Sequence, residues 1–237
     1  MQYQGMSQPQ IGQNLIYLGL GLSFGGLTNW LLDKLWNYIK YKYDIKKGII
    51  YMFDEGNKTI FDNAEVYKTL IRQVPEDVQI KLIITTYGGS YIRCLEILHY
   101  LKQHKAGYVV YINKRCQSAG TFLALGAKEI IMDNYSSITK IDCQHYGYST
   151  IYYEKMFLKS KENLEGNDIL KSYESIDWIN HLSDELRQIV SSDLYEKVKD
   201  ALITSCFPHE KCYYYDNCVV LGLPVRKPKD DELIYFI

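Results

Sequence analysis

An excess of charge of either sign is missing from this sequence. Its 27 Lys and Arg residues balance 28 Asp and Glu, leaving a formal net charge of −1 over 237 residues. That balance offers no electrostatic footprint for nucleic acid. Cys-x-x-Cys pairs are missing too. Cysteines stand at 94, 116, 143, 206, 212 and 218, the last three spaced six apart, which does not match a structural zinc site. In a chain this long, scattered cysteines read as reduced thiols of a cytosolic setting rather than as a disulfide framework. No internal repeat is evident. No Gly-x-Gly-x-x-Gly fingerprint appears either, since the second strand candidate is followed only by "YGGSYIR", which argues against a dinucleotide-dependent oxidoreductase. With 47% hydrophobic and 23% charged residues, the chain has the composition of a globular protein.

The most local absence is at the N-terminus, where residues 1–32 carry no charged side chain. Within them "LIYLGLGLSFGGLTNWLL", Leu15 to Leu32, has about the length needed to cross the ~30 Å hydrocarbon layer. Gly19, Gly21, Gly25 and Gly26 are tolerable in a membrane helix, while Thr28 and Asn29 weaken that reading. A basic n-region is lacking, which argues against a cleaved signal peptide. Lys34, Lys40, Lys42, Lys46 and Lys47 follow as a positive flank that would stay cytoplasmic. The expectation is an uncharged arm with a candidate membrane anchor and a basic juxtamembrane segment over 1–47, then one folded domain over 48–237. A mobile arm with an amphipathic helix is the plainer alternative.

From residue 48 onward short apolar runs alternate with helical patterns. "GIIYMF" (48–53), "QIKLIITT" (79–86), "YVVYI" (108–112) and "EIIMD" (129–133) read as strands. "AEVYKTLIRQV" and "YIRCLEILHYLKQ" repeat apolar residues at helical spacing, and a third helix is expected from about Ser118 to Ala127. This alternation predicts βαβ units and a mainly parallel sheet. Ligands in such sheets bind beyond the carboxyl ends of strands. Residues 145–168 have little apolar periodicity and are expected as a flexible or substrate-covering loop. Ser183 is expected to cap a helix through "DELRQIVSSDLYEKVKDALI", and "LGLPV" (221–225) to form a small strand or turn.

Two turns at strand ends carry candidate chemistry. "YGGS" places Gly88 and Gly89 after the second strand, and Ser118-Ala119-Gly120 follows the third. A hydroxyl nucleophile needs a base for its proton and fixed donors for the oxyanion that forms. Ser118 at a helix start has that helix's N–H groups beside it. Glycines accept φ > 0 and can turn their N–H groups toward an anion. Helix capping by Ser90 and Ser118 explains each turn singly. Their occurrence one βαβ unit apart is what points to a nucleophile facing an oxyanion hole.

"ITTYGGS", "QSAGTFLALGAKEIIMD" and "ITKIDCQ" resemble, in order and spacing, the serine dehydrogenase proteinase family. Those proteins belong to the signal-peptide-peptidase-like serine peptidases, which share a fold with the Clp protease subunit and the crotonases. The C-terminal "FPHEKCYYYDNCVVLGLPV" resembles the family's His…Gly-Leu-Pro-Val segment. The resemblance implies a Clp/crotonase-like α/β fold, a nucleophile at Ser118 and oxyanion donors from the Gly88–Gly89 segment and Ala119. The sequence departs from the family at Tyr87, where proline is usual, and at Thr139 and Lys140, where Gly-Pro is usual.

Relatives of this fold use either a Ser-Lys dyad or a Ser-His-Asp triad, so the base stays open. The candidates, in order, are Lys171, Lys140 and His145. Asp142 stands at about the place of the Clp histidine, and His209 lies in the C-terminal segment, where a structural role serves equally. The implied activity is a serine endopeptidase acting on peptide or membrane-associated protein substrates without metal or organic cofactor. It would work as a homo-oligomer, membrane-associated with its catalytic domain in the cytoplasm or otherwise cytoplasmic. A catalytically inactive, membrane-tethered binding module of the same fold is the alternative, and a crotonase-like acyl-CoA enzyme a weaker one.

Overall fold

The computed structural model describes residues 27–55, 57–145, 148–205 and 208–236. The chain divides into two compact units, Met1–Lys42 and Tyr43–Ile237. The first contains most of helix α1, Leu27–Lys46, which carries Asp33, Lys34, Lys40 and Lys42 among exposed Leu35, Trp36, Tyr38 and Ile39. Among the described residues no helix is long and apolar enough to cross a membrane. Most of the expected anchor, Leu15 to Leu32, lies outside the described residues.

The second unit is built on a sheet whose strands are β1 Ile49–Phe53, β2 Ile80–Thr86, β3 Tyr108–Cys116, β4 Ile130–Met132, β5 Ser137–Thr139, β8 Cys212–Tyr214 and β9 Val225–Arg226. They run in the order β1-β2-β3-β4-β9, with β5 beside β3 and β8 beside β5. Every pairing in this sheet is parallel except that of β5 with β8. Central β2 is buried along most of its length, as a strand covered on both faces must be, and its run of Ile and Leu follows from that. Helices α2 (Ala64–Gln73), α3 (Tyr91–Gln103) and α4 (Ala119–Leu125) fill the crossovers. The third strand is longer than its apolar core predicts. Its register against β2 shifts between Ile84 and Thr86, and Lys114 takes φ 79°. Such an irregularity bends a strand and redirects its end. Here it delivers residues 116–118 beside the end of β2.

The region beyond β5 differs from expectation. Instead of a loop, β6 (Gln144–His145) pairs with β7 (Tyr148–Ser149) as a two-stranded ribbon, which leads into α5, Thr150–Ser160. Only Thr150, Ile151 and Tyr153 of α5 are buried, too few to produce the apolar period that marks a helix in sequence. Ser183 caps nothing. It lies inside α6, Gly166–Ile189, and its hydroxyl donates to the Ile179 carbonyl at 2.6 Å, the back-bond of a mid-helix serine. The expected single helix breaks at Val190 and Ser191, and α7 restarts at Ser192–Lys199. Helix α8, Tyr215–Leu221, ends at Gly222 in a left-handed conformation (φ 84°) that turns the chain into β9.

Candidate active site

Two turns meet at the carboxyl ends of β2 and β3. After β2, Gly88 and Gly89 take φ 100° and 151°. A Cβ on Gly88 would lie 2.7 Å from the Ser118 Cβ and 2.9 Å from the Gln117 carbonyl oxygen. One on Gly89 would lie 2.5 Å from Thr59 Oγ1. Both positions therefore demand glycine for space as well as for φ. After β3, Ser118 takes φ 50° and ψ −117°, a region that a residue with a Cβ occupies only when its surroundings force it.

Those surroundings are visible. The Gln117 N–H donates to the Thr86 carbonyl at 3.0 Å, and Gly120 N–H to the Gln117 carbonyl at 2.8 Å. The Ser118 N–H donates to Thr139 Oγ1 at 3.0 Å. The Thr121 hydroxyl donates to the Cys116 carbonyl at 2.8 Å and accepts the Thr139 N–H at 3.2 Å. From below, the Cys94 thiol donates to the Ala119 carbonyl at 3.1 Å. Burial pushes the Cys94 and Cys116 thiols up, so they serve as apolar packing under the turn rather than as nucleophiles. Thr139, one departure from the family pattern, is thus the residue that holds the serine's amide.

The arrangement leaves donors over. Gly88 N–H is spent on Thr86 Oγ1 at 3.0 Å, whereas neither the Gly89 nor the Ala119 N–H has an acceptor among the described residues. Both residues line, with Ser118, a cavity of about 430 Å³. A serine hydroxyl beside two unspent backbone donors is what acyl transfer requires.

Across the cavity stand Asp142 and His209. The Asp142 side chain is almost wholly buried, and its carboxylate accepts from the Ser149 hydroxyl at 2.7 Å and the Gln144 amide at 3.1 Å. His209 Nδ1 lies 3.7 Å from Asp142 Oδ2 and is buried without a hydrogen-bond partner. A histidine that turns Nδ1 to a carboxylate keeps Nε2 as its second nitrogen. Tyr91 and Trp178 form an aromatic wall, with ring centroids 6.4 Å apart at 79°.

The two lysine candidates are placed elsewhere. Lys140 is buried, and its Nζ donates to the Ser205 carbonyl at 2.6 Å. Lys171 lies on α6, 3.5 Å from Asp168, and does not line the cavity. The His145 backbone belongs to β6, and its side chain lies outside the described residues. The Asp142–His209 juxtaposition was not legible as a pair, because the two residues share no motif and meet only through tertiary packing.

A serine at positive φ on a parallel strand's carboxyl end, beside a diglycine turn, thus sits within a Clp-like α/β fold. The chain belongs to the ClpP-like SDH-type serine proteinases, whose family profile matches residues 49–234. Among curated proteins it is similar to uncharacterized protein MJ1495 of Methanocaldococcus jannaschii, 40% identical over 118 residues, 48% of this chain and 40% of that protein. It is also similar to uncharacterized protein MJ0137 of the same organism, 38% identical over 86 residues, 36% of this chain and 30% of that protein. The matches thus span less than half the length of these relatives. Among solved structures, ClpP1 from Listeria monocytogenes superposes with a TM-score of 0.54 at 15% identity, over 80% of this chain and 97% of that one. A mutant of the 1510-N membrane-bound stomatin-specific protease, in complex with a substrate peptide, gives 0.50 at 14%, over 79% and 78%. At these identities the two structures speak to the fold.

Proposed function

We propose that this protein is a serine endopeptidase that cleaves peptide bonds through an acyl-enzyme at Ser118. The observation that carries the reading is the convergence of a strained serine, two unspent backbone N–H groups and a His-Asp pair on one cavity. In this mechanism His209 takes the Ser118 proton as Oγ attacks the scissile carbonyl. Asp142 holds the ring and balances the imidazolium. The carbonyl oxygen, now an oxyanion, accepts from the Gly89 and Ala119 N–H groups. The protonated histidine then gives its proton to the leaving amine, and water repeats the sequence to free the acid. The Tyr91–Trp178 wall suits a large apolar side chain of the substrate.

Assembly as a homo-oligomer and attachment to a membrane through residues 15–32 belong to the same proposal. The membrane part is supported by the uncharged run and its lysine flank, and it accords with the membrane-bound description of the stomatin-specific protease. Carbonate extraction of membranes from expressing cells tests it: protein released with the soluble fraction would end the anchor reading.

The catalytic reading is tested by a fluorophosphonate probe and a fluorogenic peptide. Wild type is expected to be labelled and to hydrolyse, and Ser118→Ala to do neither, with a loss of at least about 10³-fold. Equal labelling of both proteins, or of neither, would sink the acyl-enzyme.

A further inference from the structure

Asp54 follows the last residue of β1, and its carboxylate gathers donors from three places. The Ile60 N–H reaches Oδ1 at 2.8 Å. The Tyr87 N–H reaches Oδ2 at 2.7 Å. The Thr86 hydroxyl spans both oxygens at 2.9 and 3.1 Å. A hydroxyl has one proton, so Thr86, having given it to Asp54, can only present lone pairs to its other neighbour. That neighbour is the Gly88 N–H, at 3.0 Å.

We propose that Asp54 is a positioning residue for the oxyanion hole, fixing directly and through Thr86 the two peptide units that lead into Gly88, the base from which the Gly89 N–H is aimed. The inference rests on the reading of Ser118 as nucleophile. It also explains Tyr87. A proline at 87 would bring no N–H, so the bond from residue 87 to Asp54 exists only because this chain has departed from the proline expected there. The Tyr87 side chain itself is exposed, and its contribution to the turn is its backbone.

The carboxylate is required rather than its shape. Each Asp54 oxygen faces a backbone N–H, so an asparagine must aim its own NH₂ at one of them. One donor is then unsatisfied, and the Thr86 hydroxyl keeps one acceptor oxygen where it had two.

The test uses the full chain with Asp54→Asn, Thr86→Val and Thr86→Ser. It measures kcat and KM on a fluorogenic peptide, and Ki for a peptide aldehyde against the corresponding unreactive peptide amide. Asp54→Asn and Thr86→Val are expected to lower kcat about 10²-fold with KM within about twofold, since only the transition state uses the oxyanion donors. Aldehyde affinity should fall with kcat while amide affinity holds, and Thr86→Ser should restore both. A kcat within about threefold of wild type, or parallel loss of aldehyde and amide binding, overturns the proposal.

Amide hydrogen exchange at Gly88 judges it independently of turnover. Protection in wild type that is lost in Asp54→Asn upholds the positioning, and equal protection overturns it. A wild type inert to peptide and fluorophosphonate alike would count against the acyl-enzyme reading instead, with the exchange result still deciding the role of Asp54.

Discussion

The two walls of the Ser118 cavity are built by different means. The wall that carries Ser118, the proposed nucleophile, is over-determined. Glycines without room for a Cβ, a threonine on the serine's amide and a carboxylate behind the diglycine turn hold one backbone geometry. The proposed acceptor wall is made of side chains from the segment that precedes β6 and the segment that precedes β8, and its central contact, His209 Nδ1 to Asp142 Oδ2, stands open at 3.7 Å. The difference matches the proposed chemistry. Oxyanion donors must be in place before charge develops, while a base need only swing into reach when substrate arrives, which is why catalytic hydrogen bonds are often long without substrate.

The sharpest way to break this comparison is at the base. His209→Ala is expected to cost hydrolysis about as much as Ser118→Ala, on the order of 10³-fold. The double variant should cost no more than either single one, because residues that act as a unit are not additive. Lys171→Met and Lys140→Met are the counter-variants. If Lys171→Met removes activity while His209→Ala keeps it, the acceptor wall has been assigned to the wrong residues. Melting curves of all five variants separate a lost base from a lost fold, which matters most for buried Lys140.

A smaller pair of changes compares the rigidity of the walls. Gly88→Ala adds one methyl against the Ser118 Cβ at a φ of 100°, with a strain of about 1–3 kcal/mol. Hydrolysis is expected to fall at least about tenfold and Tm by several degrees. Ser149→Ala removes one hydrogen bond from Asp142, worth about 1 kcal/mol, and leaves the Gln144 contact. It should retain activity within about threefold. Comparable losses from the two would show that the walls are equally rigid.

The same contrast explains what could be read without a structure. The strands, the two turns and the helix after Ser118 are local: apolar runs end at Gly-Gly and Ser-Ala-Gly, and φ-tolerant or small residues mark where the chain must reverse. Asp54 has no such mark, since a lone acid after a strand is an ordinary loop residue and its meaning depends on Thr86, 32 residues on. Asp142 and His209 are hidden for the same reason. Helix α5 leaves no apolar period in the sequence because few of its residues are buried, and Ser183 reads as a cap because a serine that bonds back to its own helix looks in sequence like one that starts a helix.

The smallest effect is expected where neither wall is touched. In the C-terminal turn Glu232 takes a bidentate grip from Arg226, at 2.6 and 2.8 Å, and accepts from the Tyr111 hydroxyl at 2.8 Å. This pins Tyr235 and Phe236 over the sheet face that carries Ile49, Ile83, Val109 and Ile131. The Arg226 guanidinium holds the Glu232 carboxyl down to about 2, from 4.5. A carboxyl depressed in the folded state contributes stability in full above its unfolded value, and that contribution drains away as pH falls from about 4.5 to about 2. Glu232→Gln should therefore melt a few degrees below wild type at pH 7, and the gap should narrow to nothing near pH 2. The kcat at neutral pH should be unchanged, because none of Tyr111, Arg226 or Glu232 lines the cavity. A constant Tm gap across that range would mean the turn is held by the packing of Tyr235 and Phe236 alone. A fall in kcat alongside the fall in Tm would tie this turn to the site, and the looser acceptor wall is the place to look for the link.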